Sequence, residues 1–195
     1  MTKFELLCLC TQKDVMMLTL EDTLLIIIDA QGRLARVVAE SETAIERICI
    51  LVQGAKLLGV PALLTAQAPG KIGHTIPEIA SLLPGQEDLP RISFSIWRDP
   101  GFKQAVLSMG RKQVLLCGFE AHICLYQSAM DLLADGYEVY VVADAVSSRR
   151  QSDKSTALAE LSVSGVHLTS VEMALFALMR DAQHPAFRAV SALIK

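Results

Sequence analysis

Two side chains of this sequence could act together in covalent catalysis: the carboxylate of Asp29 and the thiol of Cys124. Asp29 ends the apolar run LLIII, and Cys124 follows Gly118 by six residues, near the start of a helical pattern. The unpaired N–H groups of a helix start favour a thiolate, so we expect a lowered thiol pKa at Cys124. A carboxylate held partly out of water has a raised pKa and can act as a general base.

Each of these residues also has a structural interpretation. Cys124 could be an inert buried thiol, and Asp29 could be a helix-capping or turn-forming aspartate at the end of a strand. Asp144 ends a similar apolar run, YVVADA, and is the rival carboxylate, which we interpret as structural. Cys117 lies within an apolar strand pattern and Cys49 on the apolar stripe of a helix, so both are interpreted as core residues.

Apolar strand patterns alternate with helical patterns along the chain. The expected strands are Thr23–Asp29, Val60–Thr65, Arg91–Ile96, Gln113–Cys117, Glu138–Ala143 and Val166–Thr169. The expected helices are Ser41–Leu58, Pro100–Gly110, Glu120–Asp135, Ser152–Leu161 and Val171–Arg180. This alternation predicts an α/β protein, a Rossmann-like three-layer αβα sandwich with a parallel sheet of about six strands. Such sheets bind ligands at the carboxyl ends of their strands, where Asp29 and Cys124 would meet.

Composition limits the classes of partner. The 195 residues fit one domain, 1–195, with residues 1–20 as an N-terminal extension. Hydrophobic residues make up 52% of the chain, and we interpret the surplus as the interface of a homo-oligomer. The net charge of −3 disfavours nucleic acid, and no apolar run approaches the roughly 20 residues that a membrane helix needs.

The five cysteines form no CxxC pair, and no His/Cys cluster has zinc spacing. We therefore expect no metal. The cysteines are expected to be free thiols in a reducing cytoplasm. The first residues, MTKFELLCLC, are interrupted by Glu5 and do not resemble a signal peptide. The turn after the first strand, DAQGRLARVV, has one glycine in place of GxGxxG, so no dinucleotide cofactor is expected.

The segments LLIIIDAQ and GFEAHICLYQSAMDLLADGYEVYVVADAVSSR, with the Phe-containing loop between them, resemble the isochorismatase-like cysteine hydrolase superfamily. The resemblance spans about residues 23–178 and is nearest to the isochorismatase domain-containing and YcaC-like branch. The glycine, the cysteine six residues later and the upstream D-x-Q are specific only in combination.

The resemblance implies a catalytic triad of aspartate, lysine and cysteine. Asp29 and Cys124 match this triad, and Arg91, in LPRISFSIW, occupies the position of the lysine. Arginine stays protonated and cannot shuttle a proton, so Arg91 would act by charge; a surface salt bridge is the alternative. The resemblance also implies a cis peptide at Phe119–Glu120, with backbone N–H groups of Glu120 and Cys124 forming an oxyanion hole.

Four further residues are candidates for the substrate pocket. Gln31 completes the D-x-Q motif and could orient the substrate or Asp29, and His122 lies two residues before the cysteine. Phe94 and Trp97 could line an apolar pocket, although packing in the core is an equal alternative. Nicotinamidases of this superfamily carry a D-x-H metal site after the second strand. This chain reads TAQAPG there, with neither Asp nor His, so a nicotinamidase is not expected.

The sequence therefore predicts a metal-independent cysteine hydrolase that cleaves a small amide or a related C–N bond of a small molecule. True isochorismatases lack the nucleophilic cysteine, so Cys124 favours acyl chemistry. The alternative is an oligomeric binding or scaffold protein on the same fold that has lost catalysis with the lysine.

Overall fold

A sheet of six parallel strands forms the centre of the structure, a computed structural model that describes residues 17–195. The strands are β1 Thr23–Ile28, β2 Ala62–Gln67, β3 Leu89–Arg91, β4 Gln113–Phe119, β5 Glu138–Ser147 and β6 His167–Thr169. Their order is β3-β2-β1-β4-β5-β6, and every neighbouring pair is parallel. The expected α/β class with a parallel sheet of about six strands is confirmed.

Helices cover both faces of this sheet. They are α1 Leu34–Val37, α2 Ser41–Leu57, α3 Pro69–Ile72, α4 Pro77–Ala80, α5 Pro100–Ser108, α6 Tyr126–Ala134, α7 Gln151–Val163, α8 Val171–Met179 and α9 Phe187–Ile194. Alternate residues of β1 enter different cores: Leu25 and Ile27 pack with α2 and α8, whereas Ile26 and Ile28 pack with α5, α6 and α7. Because both faces are covered, the strand is apolar at every position.

The strand expected at Arg91–Ile96 is wrong. Strand β3 pairs with β2 only through Leu89–Arg91, and a 3₁₀ turn occupies Ile96–Arg98. The Ser95 hydroxyl accepts a hydrogen bond from the Trp97 N–H at 3.2 Å and begins this turn. Of the alternating apolar residues, Ile92 and Phe94 are exposed and only Ile96 is buried, so the alternation does not mark one face of a pleated strand.

The helix expected from Glu120 begins differently as well. A π-helical turn covers Ala121–Leu125, and the α-helix α6 starts only at Tyr126. The wider turn carries Cys124 and is the first structure after β4. Single π-helical turns are rare in proteins, but those that occur often lie at functional sites.

The structure describes the chain from residue 17 onward, so most of the expected extension over residues 1–20 lies outside the described residues. Leu18 is buried in the core, and the Thr19 N–H donates to the Gln113 side chain at 2.8 Å. These last residues of the expected extension therefore pack on the body of the domain. Within residues 17–195, no helix is both long and apolar enough to cross a membrane.

The strand order reverses between β1 and β4, which are neighbours although two strands separate them in sequence. In the register of this pair, Ile28 lies opposite Gly118. Gly118 has a positive φ of 109°, and a Cβ built there would collide with the backbone carbonyl of Ile28. The absence of a side chain thus allows the two strand ends to approach closely.

Replacing Gly118 by alanine should lower the free energy of unfolding by about 3 kcal/mol, because it adds a steric collision to an unfavourable backbone conformation. Urea unfolding would measure this change. Gly110→Ala is the matched control, since Gly110 also has a positive φ but no atom lies within 4 Å of an added Cβ; we expect a loss of about 1 kcal/mol. Equal losses in the two variants would contradict the close approach.

Candidate active site

Asp29 follows directly after β1 and turns its carboxylate into the protein interior. Its φ is +48°, in the left-handed region, which aspartate tolerates better than most residues. The side chain is fully buried and accepts two hydrogen bonds from Arg91, at 2.9 Å to Oδ1 and 2.7 Å to Oδ2. The backbone N–H of Gln67 donates a third bond to Oδ1 at 3.1 Å.

Arg91 is the last residue of β3, and only 3% of its surface is exposed. Its two terminal nitrogens bind the two carboxylate oxygens of Asp29 side by side, the fork geometry that lysine cannot reproduce. One of these nitrogens also donates to the Phe94 carbonyl at 3.1 Å. Arg91 therefore forms a buried ion pair, and the surface salt bridge considered from the sequence is excluded.

Cys124 lies in the π-helical turn and is 5% exposed. Its sulfur lies 4.0 Å from the Gln67 Oε1, and it is close enough to Asp29 and Arg91 for both side chains to shift the pKa of the thiol. The ends of strands β1, β3 and β4 thus bring together the three residues that the resemblance implies. The aspartate, the arginine and the thiol form one buried cluster at the point where the strand order reverses.

The titration of this cluster corrects one expectation. Burial raises the pKa of Asp29 above its ordinary value of 3.8, and the charge of Arg91 offsets only part of this effect. Burial and then the negative charge of Asp29 raise the pKa of Cys124 from 9.0 to about 12. The expected lowering of the thiol pKa by a helix start is wrong, so the resting residue is a thiol that needs a base.

The turn after β4 has the backbone feature that the resemblance implies, since the Phe119–Glu120 peptide bond is cis. Phe119 is buried in the core. The Glu120 carboxylate accepts two hydrogen bonds from Arg149, from its backbone N–H at 3.1 Å and from Nε at 2.9 Å. Glu120 therefore ties the turn that carries Cys124 to the segment after β5.

Gln31 is buried, and its carboxamide binds backbone groups of neighbouring loops. Its Nε2 donates to the carbonyls of Gln67 at 3.0 Å and Gly73 at 2.7 Å, and its Oε1 accepts from the Gln67 N–H at 2.7 Å. The same N–H bonds to Asp29. Gln31 thus holds the end of β2 against the Asp29 carboxylate.

Gln67 is a residue of this cluster that the sequence reasoning missed. It is the last residue of β2, and its Oε1 lies 4.0 Å from the Cys124 sulfur. Its Nε2 donates to the Ile92 carbonyl at 3.2 Å. TAQ ends the strand next to β1, which places Gln67 beside Asp29, but a neutral amide outside the D-x-Q motif does not by itself indicate a site.

The remaining pocket candidates lie at different depths. Phe94 is 51% exposed on the loop after β3. Trp97 is buried, its indole N–H donates to Asp135 at 2.7 Å, and its ring packs edge to face on Tyr137. These contacts are those of a structural residue. The His122 Nδ1 lies 2.9 Å from the Ser148 hydroxyl, which directs this ring toward the end of β5.

Three other residues have the structural roles expected of them. Asp144 accepts a hydrogen bond from the Val171 N–H at 2.9 Å, at the first turn of α8. Cys117 is fully buried within β4, where burial raises its thiol pKa. Cys49, a residue of α2, is partly buried and packs against the core. Across residues 17–195, no three His, Cys, Asp or Glu side chains are grouped to hold a metal ion.

Comparison with known proteins identifies the family. The Isochorismatase domain family matches residues 23–173. The secreted isochorismatase effector Isc1 of Phytophthora sojae is 38% identical over 177 residues, which cover 89% of this chain and 84% of that protein. Isochorismatase domain-containing protein 2 of Danio rerio is 36% identical over 178 residues, which cover 91% of this chain and 89% of that protein.

Solved structures share the fold over nearly the whole chain. A MAR1 ribonuclease from Caenorhabditis elegans has a TM-score of 0.86 and 30% identity, and the match covers 92% of each chain. The YcaC gene product of Escherichia coli, described as an octameric hydrolase of unknown specificity, has a TM-score of 0.88 and 24% identity, and covers 93% of this chain and 91% of that one.

The six-stranded parallel sheet and its flanking helices are those of an isochorismatase-like α/β sandwich. The chain belongs to the isochorismatase family of hydrolases, and the resemblance stated from its motifs is confirmed.

Proposed function

We propose that this protein is a metal-independent cysteine hydrolase that cleaves a small amide or a related C–N bond. One observation carries the proposal: the Cys124 thiol lies beside a buried carboxylate, that of Asp29, which interacts with it strongly enough to raise its pKa and is itself held on both oxygens by Arg91. A nucleophile within hydrogen-bonding reach of a base, with the base oriented by a third group, is the arrangement of covalent catalysis.

In the first half of the reaction, Asp29 takes the proton of the Cys124 thiol as the sulfur attacks the carbonyl carbon of the substrate. Because the thiol pKa is about 12, proton transfer accompanies the attack and does not precede it. Asp29 then gives this proton to the nitrogen, the C–N bond breaks, and the amine leaves. The acyl group stays on the sulfur as a thioester.

In the second half, Asp29 removes a proton from water, and the resulting hydroxide attacks the thioester carbonyl. The C–S bond breaks, the acid is released, and the proton returns to the sulfur. In both halves the negative charge on the carbonyl oxygen needs donors, for which we propose the backbone N–H groups of Glu120 and Cys124 in the cis turn. One such donor typically contributes about 2.7–4 kcal/mol.

Arg91 acts in this proposal by charge and position. Its guanidinium stays protonated throughout the reaction, so it transfers no proton. It holds both oxygens of Asp29 in place and opposes the rise in the thiol pKa that burial and Asp29 cause. The arginine thereby replaces the charge of the family's lysine.

A panel of small primary amides, assayed for ammonia release, tests this proposal. We expect at least one amide to be hydrolysed at the same rate with and without EDTA, and not to be hydrolysed by Cys124→Ala. A metal retained through purification whose removal abolishes the activity would contradict metal independence. Turnover that survives in Cys124→Ala would instead contradict the nucleophile, and an enzyme inert to the whole panel would favour the alternative of a binding or scaffold protein.

We propose small molecules, and neither nucleic acid nor membranes, as partners, together with a homo-oligomeric state. The net charge of −3 supports the first part. The octameric relative and the exposed apolar side chains Met173 and Phe176 on α8 support the second. Light scattering should give a mass well above the 21.2 kDa of one chain; a single-chain mass at micromolar concentration would refute the oligomer.

A cytoplasmic location stays a prediction. The three cysteines of the described residues, at positions 49, 117 and 124, are free thiols, as a reducing compartment allows.

A further inference from the structure

Gln67 has a side chain whose two ends lie in different environments. Its Nε2 donates to the backbone carbonyl of Ile92, and its Oε1 lies 4.0 Å from the Cys124 sulfur. A rotated carboxamide would set its oxygen against the Ile92 carbonyl, and two acceptors do not bind each other. The amide is therefore fixed with its oxygen toward the nucleophile.

The backbone of Gln67 is fixed as firmly as its side chain. Its N–H donates to Asp29 and Gln31, and its carbonyl accepts from Gln31. The residue lies opposite Arg91 in the pairing of β2 with β3. Yet Gln67 is only partly buried, whereas the neighbouring carboxylate is fully buried. A substrate that reaches the sulfur can therefore meet this oxygen.

We propose that Gln67 is a specificity-determining residue, whose Oε1 accepts a hydrogen bond from the N–H of the scissile amide. The proposal rests on the proposed function, since it places the substrate on Cys124. A carbonyl carbon ready for attack lies about 3–3.5 Å from the nucleophile, so the nitrogen bonded to it comes within reach of an oxygen 4.0 Å from the sulfur. The substrate class becomes primary and secondary amides.

The same oxygen disfavours related substrates. An ester or a fully substituted amide has no N–H to donate. When such a substrate separates the thiol from the Gln67 oxygen, that oxygen is left without a hydrogen-bond donor. A site built to bind an N–H rejects analogues that lack it more strongly than a pocket can select by shape alone.

Three vinyl reagents test this without a known substrate: acrylamide, N,N-dimethylacrylamide and methyl acrylate. Each adds to a thiol in the same way: the sulfur bonds to the terminal carbon, the thiol proton ends on the carbon beside the carbonyl, and nothing leaves. Only acrylamide carries an N–H. The rate of each addition at Cys124 is followed by peptide mass analysis and divided by the rate with glutathione, a free thiol.

We expect Cys124 to favour acrylamide over the other two reagents by roughly tenfold more than glutathione does, the scale of one hydrogen bond. Gln67→Met should lose this preference. Gln53→Met, at a partly buried position of α2, is the control and should behave like the parent.

A wild-type preference equal to that of glutathione would overturn the proposal without any variant. So would Gln67→Met if it slowed all three reagents equally, as a purely structural role predicts. Failure of the proposed function is distinguishable from both results: all three reagents would then label other cysteines and leave Cys124 unmodified, which removes the nucleophile and the role of Gln67 with it.

Discussion

Replacing Arg91 by methionine should lower the free energy of unfolding by about 3–5 kcal/mol, the cost of removing one partner of a buried ion pair. The physical reason is that Asp29 is fully buried and would lose the two charged donors that hold its oxygens. Urea unfolding measures the change. The double variant Asp29→Asn with Arg91→Met should be more stable than Arg91→Met alone, because no charge is then left unpaired.

Arg98→Met is the matched control for this experiment. Arg98 also binds a carboxylate through two nitrogens, that of Asp131, but its side chain is 65% exposed. An exposed ion pair contributes about 0–1 kcal/mol. Equal losses in the Arg91 and Arg98 variants would contradict the buried character of the first pair.

The activity of Arg91 variants should follow charge. We expect Arg91→Lys to keep partial activity, since it retains the charge and loses the fork geometry. Arg91→Ala should lose about a hundredfold, a typical effect of removing one electrostatic stabiliser. If Arg91→Ala hydrolyses substrate at the parent rate with its fold intact, the catalytic group reduces to the aspartate and the cysteine.

Asp29→Asn should lower the hydrolysis rate by about a thousandfold or more, because the only proposed proton acceptor is lost. The same change should lower the thiol pKa, since the charge of Asp29 raises it and that of Arg91 lowers it. Alkylation of Cys124 against pH, followed by peptide mass analysis, measures the second effect. A variant with more thiolate and less turnover would separate nucleophile formation from proton transfer.

Asp144→Asn is the control for this variant, because it removes a carboxylate that binds the first turn of α8 and should leave the titration of Cys124 unchanged.

In the wild type, kcat/KM should fall as the pH falls through the pKa of Asp29, which burial raises above 3.8, since a protonated carboxyl cannot accept the thiol proton. A profile that is flat on the acid side down to that value would contradict the base.

The positions of Asp29 and Cys124 could be predicted because each interrupts or follows an apolar strand pattern, and parallel strands place their carboxyl ends together. Arg91 required the family resemblance, since nothing in LPRISFSIW shows that a charged residue will be buried. Only the pairing of Gln67 with Arg91 in the sheet brings the guanidinium to Asp29.

The direction of the thiol pKa could not be predicted from local sequence. A helix start favours the thiolate, but burial and the nearby charge of Asp29 have the opposite and larger effect. Both depend on contacts between residues about 95 positions apart along the chain. The strand expected at Arg91–Ile96 failed for a related reason: Ile92 is 78% exposed, so its place in the alternation did not report a buried face.

The thioester is the most direct test of the account. Enzyme turning over a hydrolysable amide would be quenched in acid and its mass measured intact and after proteolysis. We expect an added acyl mass on the peptide that contains Cys124. This mass should be absent from Cys124→Ala and should be lost when the sample is treated with hydroxylamine, which cleaves thioesters. Rapid turnover with no acyl mass on this peptide, undiminished in Cys124→Ala, would contradict covalent catalysis by this thiol.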